Sequence, residues 1–117
     1  MKYTIAVYES EADFNARTAN NEASKAYWNS YQAYTRALEE AGVLIGGAGL
    51  QDPRTATTLR LKEGKRMVQD GPFADTREQL GGFYNIEVPD LDAALEWAAR
   101  CPAASGAGVE VRPQLEM

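Results

Sequence analysis

The segment from Asp70 to Phe73 reads Asp-Gly-Pro-Phe and joins an ionisable carboxylate to a turn and an aromatic ring. Glycine permits positive φ, whereas proline fixes its own φ and keeps the preceding residue out of the helical region. A carboxylate at such a turn can accept hydrogen bonds from backbone N–H groups two or three residues further on. If it lies poorly solvated in a cleft instead, its pKa rises towards the range of a general base. Both roles stay open for Asp70, which is the candidate catalytic residue.

The chain contains no histidine, and this restricts its chemistry more firmly than any motif does. Ser-His-Asp and Cys-His nucleophilic catalysis are excluded, as are the usual zinc and iron ligand sets. Acid–base chemistry would have to use carboxylates, tyrosines, lysines or bound water. The stretch from Gly46 to Gly49 lacks the lysine of a phosphate loop and the spacing of a dinucleotide site. We therefore expect neither a metal nor a cofactor.

Length and composition predict one soluble domain over residues 1–117, because 44% of the residues are hydrophobic and 25% are charged. The net charge of −5 provides no long-range attraction to phosphate backbones, so nucleic-acid binding is not expected. The first strand reaches Glu9 too early for a secretory signal, and no apolar run approaches the roughly 20 residues that span a bilayer. The single cysteine, Cys101, is expected to be a buried thiol at a helix end, in a reducing compartment. We expect a cytoplasmic protein without a membrane partner.

The elements that must position these residues follow from hydrophobic periodicity and turn residues. Alternation predicts strands over 2–8, 83–88 and 108–112, with a glycine-rich strand over 43–50 that bends or bulges near Gly46 and Gly47. Helical spacing predicts helices over 22–41 and 91–100, and residues 9–21 are interpreted as a loop with at most a short helical turn. Strands over 56–62 and 65–69 flank a Glu63-Gly64 hairpin turn.

The order of these elements is strand, helix, strand, inserted hairpin, strand, helix, strand. Two β-α-β units joined in this way predict an α+β fold, with a ferredoxin-like antiparallel sheet and both helices on one face. Asp75 and Glu78 have the spacing of a capping box, which predicts a short helical stretch ending at Gly81 and Gly82.

The sheet face away from the helices mixes aromatic and charged residues. Counting by twos assigns to it Thr4, Ala6, Tyr8, Phe83, Asn85, Glu87, Glu110 and Arg112. Exposure would leave the aromatic rings in water, whereas a dry interface would bury charges at high cost. A wet cavity between two such sheets related by a two-fold axis suits both groups, and it predicts a homodimer. An ordinary solvated sheet face is the alternative.

Individual roles on this face are open. Arg112 could pair with Glu110 or Glu87, or it could bind a ligand carboxylate or phosphate through two hydrogen bonds. Tyr8 could donate a phenolic hydrogen bond into the cavity or simply pack. Phe73 and Glu78 complete the predicted ligand-binding set, with helix capping as the alternative role of Glu78.

The tyrosines of the first helix, Tyr27, Tyr31 and Tyr34, lie at helical spacing. They are interpreted as packing of a helix face rather than as a cofactor site.

Taken together, these motifs resemble the YCII-related family, also called DGPF-domain proteins. The resemblance covers nearly the whole chain and is carried by Lys2-Tyr3, Ala41 to Leu44, Gly49-Leu50, Asp70 to Phe73, Glu78 to Tyr84, Val88 to Trp97, Cys101-Pro102 and Val109 to Pro113. It implies a dimeric α+β barrel, in which two protomers pack through their sheets around clefts. It implies no general reaction. Related members pair a histidine with the aspartate that corresponds to Asp70, and this chain has no histidine to do so.

Two functions follow as hypotheses. The first is a protein that binds an unidentified small molecule, and that could be a cofactor-free enzyme using carboxylate acid–base chemistry in a cleft of the dimer. Asp70 would then be the base, and Arg112 would hold an anionic substrate. The second is a non-catalytic interaction or regulatory module. Some members of the family that the chain resembles are encoded beside extracytoplasmic-function sigma factors, which associates that module with a stress response.

Overall fold

The computed structural model describes residues 1–74 and 76–116. Its strands and helices, in chain order, are β1 (Lys2–Glu9), α1 (Glu11–Thr18), α2 (Glu22–Glu40), β2 (Leu44–Gly49), β3 (Thr57–Lys62), β4 (Lys65–Asp70), β5 (Gln79–Glu87), α3 (Leu91–Ala99) and β6 (Val109–Pro113). Short 3₁₀ turns occupy Pro53–Thr55 and Pro102–Ser105. Among the helices of this described part, none combines the length and apolar character needed to cross a membrane.

Four strands form one antiparallel sheet in the order β2-β5-β1-β6. This is the ferredoxin-like arrangement, and it confirms the fold that the periodicity predicts. The strand pattern of β1 explains where the helices pack, because Tyr3, Ile5 and Val7 are buried while the residues between them are half-buried. The helix-facing side is thus the apolar side of the sheet.

The core lies between this face and the helices α2 and α3. Its three fully buried large side chains, Ile5, Leu38 and Ile86, come from β1, α2 and β5. The hydroxyl of Tyr34 donates to the Trp97 carbonyl over 2.9 Å, and this bond joins the two helices. Burial of these apolar faces supplies most of the stabilisation of both helices.

Helix ends follow the caps that the sequence predicts. Asp90 accepts a hydrogen bond from the Ala93 N–H over 2.9 Å at the start of α3. Gly42 follows α2 with φ of 72°, a conformation that suits glycine after a helix. Cys101 is buried just after α3, as expected, and burial raises the pKa of its thiol.

The inserted hairpin of β3 and β4 is a separate two-stranded sheet. Its turn residues Glu63 and Gly64 both have positive φ, as a two-residue hairpin turn requires. The hairpin base is closed by the Gly71 N–H, which donates to the Ala56 carbonyl over 2.7 Å, and by the Thr58 hydroxyl, which donates to the Gly71 carbonyl over 2.7 Å. The Asp-Gly-Pro-Phe segment therefore leads the chain out of this hairpin.

Two local predictions are wrong. Residues 9–21 contain the helix α1 rather than a loop, because Ser10 and Asp13 form a capping box and Phe14 provides a buried anchor. No helix occupies residues 76–80, since β5 already begins at Gln79. Asp75, the other half of the predicted capping box, lies outside the described residues.

Candidate functional site

A cavity of about 1290 Å³ opens between α2 and the end of the sheet formed by β2 and β5. Glycines reduce the side-chain volume on this part of the sheet: Gly47 pairs with Tyr84, and Gly49 pairs with Gly82. Leu44, nearer the start of β2, packs against the core and also lines the cavity. The glycine positions therefore leave an open floor beside a packed core.

Two of these glycines also let the strands approach each other. A Cβ atom on Gly47 would lie 2.4 Å from the Phe83 carbonyl oxygen, and a Cβ atom on Gly82 would lie 2.9 Å from the Ala48 carbonyl oxygen. Both distances are shorter than a carbon–oxygen contact allows. We call Gly46, Gly47, Gly49 and Gly82 the glycine floor; the backbone contacts require glycine at Gly47 and Gly82, whereas Gly46 and Gly49 have nothing within 4 Å.

The opposite wall of the cavity is the face of α2 from Tyr27 to Glu39, which extends for about 18 Å at the helical rise. Its first part is aromatic. The Tyr27 ring lies 5.0 Å from the rings of both Trp28 and Tyr31, with the tryptophan edge-on. Tyr34 packs in the core as predicted, whereas Tyr27 and Tyr31 also line this cavity.

A buried ion pair forms part of the cavity wall. The alternation that buries Tyr3, Ile5 and Val7 continues to Glu9, whose side chain is therefore directed to the helix face and is only 3% exposed. The Arg17 Nη2 of α1 lies 2.6 Å from Glu9 Oε1, and the Arg17 side chain is 12% exposed. A pair removed from water to this extent is held by its hydrogen bonds as much as by its charges.

Arg17 makes further hydrogen bonds that join four segments of the chain. Its Nε donates to the Tyr27 hydroxyl over 2.9 Å, its Nη2 to the Gly81 carbonyl over 3.0 Å, and its Nη1 to the Leu50 carbonyl. Burial by itself lowers the pKa of Arg17, but the hydrogen bonds to Glu9 and Tyr27 raise it overall. The guanidinium is therefore a permanent cation at the base of the cavity.

A β-bulge makes the space for the Glu9 carboxylate. The pairing of β1 with β5 shifts between Val7 and Tyr8, so that Gly81 has no partner on β1. A Cβ atom on Gly81 would lie 2.3 Å from Glu9 Oε1. The predicted helix stop is thus the residue that lets an acid side chain fit against the strand.

The phenols beside this pair remain protonated. Burial, together with the neighbouring Glu9 charge, raises the pKa values of Tyr27 and Tyr31. Within residues 1–74 and 76–116 the Tyr31 hydroxyl has no hydrogen-bond partner, so it is available as a donor. A smaller cavity of about 440 Å³ on the α1 side of the sheet also reaches Glu9, Tyr27 and Tyr31.

The predicted catalytic residue lies elsewhere. Asp70 is exposed at the end of β4, and it lines neither cavity. Across the described chain its carboxylate accepts no hydrogen bond, so the predicted turn cap is not formed. Phe73 is 68% exposed beneath the Arg60 guanidinium at 4.6 Å, and Glu78 is exposed.

The other predicted ligand-binding residues lie on the second face of the sheet, where a single chain does not enclose them. Arg112 pairs with Glu110 at 2.5 Å, with both side chains largely exposed, and Glu87 is exposed. Tyr8 is half-buried on the same face. A cleft made from these residues needs a second copy of the chain and stays a prediction.

Sequence reasoning missed Glu9, Arg17 and Gly81. Continuing the alternation of β1 by one more step would have placed Glu9 on the buried face. The Ser10–Asp13 capping box would have revealed the helix that carries Arg17.

Comparisons with known proteins agree with this fold. The sequence model of the YCII-related domain matches residues 1–117. An uncharacterised protein of Rhizobium meliloti (strain 1021) is 38% identical over 115 residues, which cover 97% of this chain and 91% of that protein. The structure of the 5-chloro-2-hydroxyhydroquinone dehydrochlorinase TftG from Burkholderia phenoliruptrix AC1100, solved with 2,5-dihydroxybenzoquinone, matches with a TM-score of 0.56 at 16% identity. That match covers 100% of this chain and 96% of the dehydrochlorinase, and at this identity it shows a shared fold.

Proposed function

We propose that this chain, which belongs to the YCII-related domain family, binds a small planar molecule in the cavity beneath α2, with Glu9 as its acid–base group. The proposal keeps the predicted carboxylate chemistry without a cofactor. It moves that chemistry from Asp70 and the second face of the sheet to the helix-facing cavity.

The observation that carries the proposal is the Glu9–Arg17 pair at the base of an open cavity. A buried pair of this kind contributes little to stability compared with apolar side chains of the same volume, so its presence favours a functional role. Arg17 and the Gly81 bulge hold the carboxylate in one position. Preorganised charge is what binding and proton transfer require.

The carboxylate has one oxygen available for a ligand. Glu9 Oε1 accepts from Arg17 Nη2, and the Tyr27 hydroxyl lies close enough to the carboxylate to interact with it, whereas no direct hydrogen bond to Oε2 is formed among the described residues. Every fully buried side-chain oxygen or nitrogen in this part of the chain has a hydrogen-bond partner, so Oε2 is not completely buried, although the Glu9 side chain is only 3% exposed. In that position it can accept a proton or a hydrogen bond from a ligand hydroxyl.

The shape of the cavity favours a flat ligand. The glycine floor presents backbone without side chains, and Tyr27 and Tyr31 line the same cavity from α2. A ring between these surfaces would bury both of its faces. The dehydrochlorinase with the same fold was solved with a dihydroxybenzoquinone, which supports hydroxylated rings as the first compounds to test.

The test is isothermal titration calorimetry with a panel of hydroquinone, catechol, resorcinol and 2,5-dihydroxybenzoquinone. At least one compound should bind, and Glu9→Gln should weaken that binding about tenfold or more, since it removes a charged acceptor. Circular dichroism will verify that the variant is folded.

The matched control is Asp70→Asn, which changes the exposed carboxylate of the Asp-Gly-Pro-Phe turn. Binding should be unchanged in this variant. If Asp70→Asn abolishes binding and Glu9→Gln does not, the site lies at Asp70 as the sequence predicts, and the present proposal is wrong. Failure of every compound to bind also counts against it.

The alternative function, a non-catalytic interaction module, is favoured by one surface. The hairpin exposes Leu59, Leu61 and Val68 on one face, and an isolated two-stranded hairpin is marginally stable without a cover. In this proposal a second copy covers the hairpin or the second sheet face in a homodimer. Sedimentation velocity showing a monomer at micromolar concentration would remove this proposal.

A further inference from the structure

The charges that line the cavity are not all neutralised within the chain. Three arginines contribute to its wall, and two of them have an acid partner: Arg17 with Glu9 at 2.6 Å, and Arg54 with Asp52 at 2.9 Å. The third, Arg36, forms no ion pair within 4.0 Å and no hydrogen bond in the part of the chain that the structure describes. A cation without a partner at a cavity wall is available to a ligand.

The position of Arg36 limits where a ligand anion can lie. Arg36 follows Tyr31 by five residues on α2, about 7.5 Å along the helix axis and about 140° around it, and it is an exposed residue of the cavity lining. Glu39 lines the cavity one turn further on and repels anions there. The favourable region for an anion in this cavity is therefore on the side of Arg36 nearer Tyr31.

Tyr31 and Arg36 on one side of the cavity, and Glu9 on the other, are complementary to one kind of molecule. The free Tyr31 hydroxyl is a neutral donor, and the Arg36 guanidinium can form two parallel hydrogen bonds to a carboxylate. At the other end, Glu9 accepts a proton or hydrogen bond and repels a second anion. A ligand with its hydroxyl at Glu9 and its negative charge at Arg36 satisfies both ends.

We infer that the ligand of this cavity is a hydroxylated aromatic carboxylic acid, with its ring over the glycine floor and its carboxylate bound by Arg36. The inference rests on the proposed function, because it specifies the substrate class of the same site. It adds a requirement that the proposed function lacks, namely a negative charge on the ligand.

The test compares gentisate with hydroquinone, which has the same hydroxylated ring without the carboxylate. Calorimetry at low ionic strength should show gentisate binding about tenfold to a hundredfold more tightly, the range of one charge-assisted contact. Arg36→Gln should remove this preference and leave hydroquinone binding unchanged. Arg66→Gln, which removes an exposed cation of the hairpin outside the cavity, should retain the preference.

The remaining outcomes of this experiment refute either the inference alone or the proposed function as well. Equal affinities for the two compounds, or a preference that survives Arg36→Gln, overturn the inference and leave the proposed function intact. Loss of the preference in Arg66→Gln as well as in Arg36→Gln shows a non-specific charge effect and also overturns it. If neither compound binds the unmodified protein, and the neutral panel also fails, both proposals are wrong.

Discussion

Removing either partner of the buried Glu9–Arg17 pair should destabilise the fold unequally. Breaking a buried ion pair costs about 3–5 kcal/mol when one charge is left without compensation. After Glu9→Gln, Arg17 keeps three acceptors on Tyr27, Leu50 and Gly81, so we expect a loss of about 2 kcal/mol. Arg17→Met leaves the Glu9 carboxylate, which is 3% exposed, without its cation, and we expect the free energy of unfolding to fall by about 3 kcal/mol.

The double variant separates the pair from its surroundings. Because Glu9→Gln with Arg17→Met leaves no unpaired charge, its loss in free energy of unfolding should be about 2 kcal/mol smaller than the sum of the single losses. Urea unfolding followed by circular dichroism measures all three variants. In thermal unfolding, each kcal/mol corresponds to roughly 4 °C in Tm for a chain of this length.

The matched control is Glu110→Gln, which breaks a pair of nearly the same length, 2.5 Å, between largely exposed side chains. Solvent screening limits its effect to about 0.5 kcal/mol. Additive losses in the Glu9 and Arg17 cycle would refute the coupling. A Glu110→Gln loss as large as that of Glu9→Gln would show instead that the second sheet face is buried in an assembly.

Two further predictions concern the cavity floor and its rim. Gly47→Ala should lower the free energy of unfolding, measured in urea, by about 1–3 kcal/mol, because its Cβ would lie 2.4 Å from a β5 carbonyl oxygen. Gly46→Ala should lower it less, because a Cβ there would have nothing within 4 Å. Equal losses in the two variants would contradict the close-contact argument. The Arg54 side chain and N–H lower the pKa of Asp52 to about 2, so Arg54→Gln should return it towards 3.8 in an NMR titration. Because the pKa of Asp52 is depressed in the folded state, its contribution to stability is present above pH 3.8 and is lost as the pH falls towards 2. If the pKa of Asp52 stays near 2 in Arg54→Gln, the Arg54 side chain does not cause the depression.

Much of the fold could be predicted because local signals and tertiary packing agree. The alternation of Tyr3, Ile5 and Val7, the Asp90 cap and the Glu63-Gly64 turn each specify a structure that the sheet then uses. The bulge near Gly46 also follows from local residues, since the pairing shifts between Leu44 and Gly46. These elements need no knowledge of distant contacts.

The site could not be predicted in the same way because it depends on such contacts. Its neighbours in sequence make Gly81 a helix stop, but in the fold it lies against the carboxylate of Glu9, more than seventy positions earlier. Arg17 lies in a polar stretch whose single buried anchor, Phe14, gives little periodic signal. Asp70 is a candidate in the sequence because it precedes Gly71 and Pro72, which restrict or free the backbone. The structure uses that backbone at the base of a hairpin.

The β-bulge has a consequence for how this protein can change over time. A shift of one residue in β1 would turn Glu9 to the opposite side of the sheet. Deletion of Gly81, the bulged residue, would remove the bulge that makes space for the Glu9 carboxylate. Insertions in the hairpin beyond β2 leave that registration untouched. Variation in length should therefore accumulate in the hairpin, while the segment that joins Gln79 to Phe83 tolerates neither gain nor loss of a residue.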